Sequence, residues 1–189
     1  MSEQRVREAV RTLHPGYFAL VMATGIMSIA MTYHRAHAVS VVLLWVGAAA
    51  YVVLVALTVI RTVTSRREFM ADLTDPRRGF AMFTFVAATC VVGTRLAADG
   101  HYGPAFGLLA TGWVAWMVLG YVVPWTAVLG QAARPVLQSA NGTWFIWVVA
   151  SQSVAVLAAA LQPEIDEGRS ELALLAVFSW SVGIFLYGA

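Results

Sequence analysis

The chain has 189 residues, of which 60% are hydrophobic and 12% charged, and its formal net charge of +2 rests on twelve arginines with no lysine. That charged share is roughly half of what soluble domains carry, and the arginines lie almost entirely between long apolar runs. Helices apolar on every face cannot present a polar surface to water, so the composition excludes a soluble enzyme or a nucleic-acid binder and points to the lipid bilayer.

Residues 1–14 carry Arg5, Arg7 and Arg11 beside Glu3 and Glu8, without the small-residue cleavage site of a signal peptide. They read as a cytoplasmic N-terminal segment. Six apolar spans follow: Tyr17–Tyr33, Ala38–Ile60, Phe80–Ala97, Pro104–Leu129, Thr143–Leu161 and Leu172–Ala189. A helix needs roughly 20 apolar residues to cross a hydrocarbon core, so the first and third are short and the fourth is long enough to tilt or to kink at Pro124. Helices are expected because every backbone amide must find its partner inside the lipid.

A repeat organises these spans. Aromatic-led segments open at Gly16-Tyr17-Phe18, at Gly79-Phe80 and at Gly142-Thr143-Trp144, with the leading glycines 63 residues apart both times. A period of this length marks repeated supersecondary units. Here the unit is a helical hairpin, giving 16–61, 79–130 and 142–189 within one transmembrane domain. With the N-terminus inside, Arg5, Arg7, Arg11, Arg61, Arg66, Arg67, Arg77, Arg78 and Arg134 are internal, and only Arg35, Arg95 and Arg169 are external. Nine against three fits the positive-inside rule with a cytoplasmic N-terminus.

Each odd-numbered span holds a small-residue patch at nearly one depth: Val21–Gly25, Phe85–Thr89 and Val148–Gln152. Such residues let helices approach closely; alternatively they line a path in which hydroxyls and backbone replace the water around an ion. The pore-lining candidates are Thr24, Gly25, Ser28, Ala88, Thr89, Ser151 and Gln152. Gln152 stands out, since an amide in lipid is costly without a partner. No Asp, Glu, Lys or His lies mid-span, which argues against a proton-coupled carrier.

Arg95 sits about one turn inside the outer end of the third span with Asp99 four residues on. It reads as an arginine that snorkels to the headgroups and pairs with Asp99, or as an anion-attracting charge at the outer mouth. The basic stretch from Arg61 to Arg78 is expected to set topology and meet anionic lipid. Tyr17, Tyr33, Tyr102, Trp125 and Trp144 suit interfacial belts, whereas Trp113 and Trp116 suit packing between helices. His34, His37, Asp99 and His101 share one side but show no metal-ligand spacing. No metal, cofactor or catalytic group is indicated, and Cys90 reads as an apolar filler.

The run Leu13-His14-Pro15-Gly16-Tyr17-Phe18-Ala19-Leu20-Val21-Met22-Ala23-Thr24-Gly25-Ile26-Met27-Ser28 resembles the opening helix of the tellurite-resistance/dicarboxylate transporter family. The stretch from Asn141 through Trp144, Trp147 and Ser151 to Ala155 resembles its fifth helix, and Trp180–Tyr187 its sixth. The family includes plant slow-type anion channels, yeast malate permeases and sulfite pumps. The resemblance implies ten helices in five hairpins with quasi-fivefold symmetry, odd helices forming the pore, and a homotrimer of full-length chains. It implies passage of small inorganic or organic anions (malate and other dicarboxylates, sulfite, nitrate, chloride or tellurite-related anions) through the cell membrane by a channel or uniporter. On that scale the chain holds three hairpins of five and reads as C-terminally truncated, lacking the ninth helix with the family's gating Phe. It also departs from the family in having Trp147 where members often have Pro. The alternatives are a non-conducting fragment of such a protein and a membrane-embedded enzyme.

Overall fold

The computed structural model describes residues 3–76, 78–126 and 142–188, and among these the ordered elements are all helical. They are α1 (Glu3–Arg11), α2 (Phe18–Tyr33), α3 (His37–Thr64), α4 (Arg66–Thr74), α5 (Phe83–Ala98), α6 (Tyr102–Pro124), α7 (Phe145–Leu161) and α8 (Arg169–Gly188). Six helical segments are long and apolar enough to cross a membrane, and the chain is a multi-pass membrane protein. The spans that looked short gain length from 3-10 turns at their starts: Pro15–Tyr17 leads into α2 and Gly79–Met82 into α5, giving segments of 19 and 20 residues. The third repeat does the same, with Gly142–Trp144 leading into α7. Helix α6 ends on Pro124; the expected end of that span at Leu129, with Arg77, Arg134, Asn141 and Ala189, lies outside the described residues.

Three hairpins result, α2–α3, α5–α6 and α7–α8. Their tight connections share one face, the turn face, and the N-terminus, α4 and the 3-10 turns share the other, the N-terminal face. Every turn contains a left-handed residue: Arg35 (φ 57°), Gly100 (φ 81°) and Gly168 (φ 82°). Glycine meets no Cβ penalty there, whereas a side chain costs roughly 1–2 kcal/mol. Arg35 is exposed, so Arg35→Gly is expected to raise stability by about 1 kcal/mol, read as a higher melting temperature of purified protein in detergent.

Helix α5 is the centre of the bundle. Of its most apolar stretch 83% is buried, against 11% for α3 and for α8. It packs against α2 on one side and α7 on the other, with α6 behind. Two apolar clusters meet on it, one built on Phe18, Val21, Ala88 and Val92, the other running from Phe80 and Phe83 to Trp116, Val154 and Leu161. Within each hairpin a glycine of the second helix admits a side chain of the first. A Cβ on Gly47 would lie 2.9 Å from Thr24 Oγ1, one on Gly112 would lie 2.6 Å from Cys90 Sγ, and one on Gly183 would collide with the Gln152 amide. Between hairpins, Gly25 seats Val91 of α5 in the same manner, at 2.5 Å.

Candidate functional site

The odd-numbered spans α2, α5 and α7 lie side by side, and their small-residue patches fall on the seams that hold them in place. Thr24 donates to Leu20 O at 2.9 Å, within its own helix, and faces Gly47 of α3. Gly25 and Ala88 are buried between α2 and α5. Thr89 is buried, donates to Phe85 O at 2.7 Å and shares a 2.9 Å hydrogen bond with the Tyr51 hydroxyl on α3. Ser151 donates to Trp147 O and accepts from Trp116 Nε1, each at 2.9 Å. Gln152 turns toward its hairpin partner and donates to Trp180 O on α8 at 3.2 Å. The amide does need a partner in lipid, and α8 supplies it. Trp116 is buried as expected, but Trp113 is 40% exposed on the surface of α6 rather than packed between helices.

Ser28 belongs to a different arrangement, which also corrects the expectation for Arg95. The guanidinium neither snorkels nor stands at an open mouth: Arg95 is 2% exposed. Ser28 Oγ donates to Ser40 O and Ser40 Oγ donates to Ser28 O, both at 2.7 Å. Each hydroxyl, its proton engaged, then accepts from Arg95, from Nε at 3.0 Å on Ser28 and from Nη2 at 3.1 Å on Ser40. Nη1 closes an ion pair with Asp99, as the four-residue spacing suggested. The rigid fork of an arginine serves three acceptors at once, which a lysine ammonium cannot do in this geometry.

A second charged cluster lies on the N-terminal face. Asp72 of α4 is 6% exposed and takes Arg61 Nη2 at 2.6 Å and Arg78 Nη1 at 3.0 Å. Arg61, 3% exposed, also donates through Nε to Arg11 O at 3.1 Å. Thr84 Oγ1 reaches Pro15 O at 2.8 Å, and Trp144 Nε1 reaches Pro76 O at 3.1 Å. The basic stretch is thus not uniformly open to lipid: Arg61 and Arg78 hold α3, α4 and the approach to α5 together, while Arg66 and Arg67 are exposed.

A model of the family described as voltage-dependent anion channel (SLAC1) matches residues 12–189. The chain belongs to this family. An uncharacterized transporter of Methanocaldococcus jannaschii is 24% identical over 190 residues, which cover 95% of this chain and 53% of that relative. The chain therefore spans about half the length of the curated relative it matches. No solved structure gives a significant match.

For this member of the voltage-dependent anion channel family, sequence reasoning missed Ser40, Tyr51 and Asp72. Ser40 was findable: it and Ser28 are each six residues from His34, where the first turn begins, so an antiparallel hairpin sets them nearly level. Among the described residues no group of three or more His, Cys, Asp or Glu could hold a metal ion. His14, just before α2, accepts from Gly16 N at 3.0 Å through Nδ1. Burial, with Arg78 second, holds its pKa below the ordinary 6.5. The unfolded chain then takes up this proton first as pH falls, so the contribution is complete above 6.5 and is lost as pH falls through the lower folded value. Melting temperatures between about pH 7.5 and 5.5 should therefore decline, and His14→Gln should flatten part of that decline.

Proposed function

We propose that the chain supplies the first three of five hairpins in a cell-membrane protein that conducts small anions, as a channel or uniporter, with its N-terminal face in the cytoplasm. Family membership supports anions as the solute. The observation that carries the reading for this chain is the placing of α5 between α2 and α7, with α3, α6 and α8 to the outside. Odd helices set side by side in this way form an inner layer, and further hairpins would extend it into a ring. Arginine asymmetry supports the orientation.

In this reading Gly25 and Ala88 set how closely α2 and α5 approach, while Thr24, Ser28, Thr89, Ser151 and Gln152 tie the odd helices to α3, α6 and α8, and together they fix the width of the path. Their hydroxyls and the Gln152 amide nitrogen are already engaged within the protein, which supports selection by size and dehydration rather than by a charged binding site. The complete protein is expected to assemble as a trimer with one path in each subunit. The test is flux through the intact gene product in liposomes under gradients of nitrate, chloride, sulfite or malate. A current whose reversal potential follows the anion gradient supports the proposal; folded protein that passes none of the four overturns it.

A further inference from the structure

An apolar groove of about 730 Å³ opens on the outer side of α5 between α3 and α6, toward the N-terminal face. Its walls include Val55, Val59, Phe69, Phe85, Val114 and Val118. The two hydroxyls in the walls are already satisfied: Thr58 donates to Leu54 O at 2.7 Å and Thr111 to Gly107 O at 2.8 Å. Arg61 at its end is held by Asp72 and Arg11 O. The groove thus offers a visiting molecule almost only hydrocarbon, and water gains little by entering it.

Its length separates the possible occupants. Along α6 the groove runs from Ala110 to Leu119, roughly 14 Å at helical rise, which is about half of a hydrocarbon core of roughly 30 Å. A transmembrane helix from another copy would need the full depth, whereas one leaflet's acyl chain needs half. At the mouth, Phe69 of α4 lines the groove and Arg66 lies three residues before it, on the same helical face. Arg66 and Arg67 are exposed, and neither has an acidic partner among the described residues.

We infer that this groove is a binding site for an anionic phospholipid, one acyl chain lying between α3 and α6 and the phosphate meeting Arg66 and Arg67. The inference rests on the chain being embedded in a membrane and is independent of anion conduction. A bound lipid here would hold the first hairpin against the second from outside, where α3 and α6 do not themselves close the gap.

The intact protein, equilibrated in nanodiscs of equal dioleoyl-phosphatidylglycerol and dioleoyl-phosphatidylcholine and then extracted gently, tests this by bound lipid per chain. Phosphatidylglycerol should be retained roughly thirtyfold over phosphatidylcholine, from about 1 kcal/mol of attraction for each of the two surface arginines, and free glycerol 3-phosphate should not displace it. Val114→Trp, at a position already 55% exposed, should fill the groove and abolish retention while melting temperature in lipid-free detergent is unchanged. Ala110→Phe is the second variant should that protein fail to fold. Arg66→Gln with Arg67→Gln should keep a lipid but lose the preference. Equal retention of both lipids by the wild type, or displacement by glycerol 3-phosphate, overturns the inference. So does a groove-filling variant that changes oligomeric state while its bound lipid is unchanged.

Discussion

Asp99→Asn is expected to destabilise the bundle far more than Arg95→Met, although Arg95 is the larger and more deeply buried of the pair. Arg95 is 2% exposed and the Asp99 side chain 36% exposed. Once the carboxylate is neutralised, a guanidinium remains in low dielectric with only neutral hydroxyls around it. Breaking a buried pair in this manner costs about 3–5 kcal/mol, on the order of 10 °C in melting temperature at this chain length. Removing the arginine leaves no such orphan. Asp99 reaches water, and Ser28 and Ser40 still donate to each other's carbonyls. Methionine fills much of the vacated volume, so Arg95→Met is expected to lie within about 1.5 kcal/mol of wild type. The double variant should recover most of what Asp99→Asn loses. Asp99 caps the C-terminal end of α5, where a negative charge opposes the helix dipole. Its presence there is explained by Arg95. Thermal melts of the three variants in one detergent check the order; Arg95→Met falling as far as Asp99→Asn would refute it.

The fold was legible because its causes are local and repeated. Spans of all-round apolar residues had one available solvent, and the 63-residue spacing of Gly16, Gly79 and Gly142 marked three starts that share a 3-10 turn followed by a helix. The small-residue patches were legible as patches, but which way they face was not. Periodicity puts Thr24 and Gln152 on a helix face without saying whether a neighbour or a path lies opposite. Both face a glycine of their own hairpin's second helix, Gly47 and Gly183, because that is where a medium-sized side chain fits at close approach. Arg95 was misplaced for a related reason. Snorkelling assumes lipid on all sides, and Arg95 instead faces two serines contributed by a different hairpin. A pairing between residues 67 and 55 positions apart leaves no local signature.

Asp72→Asn is the second large expected effect, and it acts at the opposite face. Asp72 pairs with two arginines, of which Arg61 has a side chain 4% exposed and Arg78 one 34% exposed. An asparagine keeps one acceptor oxygen but removes the charge, leaving Arg61 desolvated and repelled by Arg78. Arg78 can turn to water; Arg61 cannot, since its Nε is fixed on Arg11 O. The expected loss is again about 3–5 kcal/mol. Arg61→Met should cost less, because Asp72 retains Arg78. The combined Arg61→Met and Asp72→Asn protein should stand above Asp72→Asn alone, a coupling that a double-mutant cycle of melting temperatures measures directly. Because α1, α3, α4 and the approach to α5 all meet at this carboxylate, proteolysis should show the loss locally. In Asp72→Asn, cleavage within the α4 segment should accelerate before the membrane spans open, whereas Asp99→Asn should leave that segment protected. Equal protection of α4 in both variants would show that the two arginine clusters do not hold separate ends of the bundle.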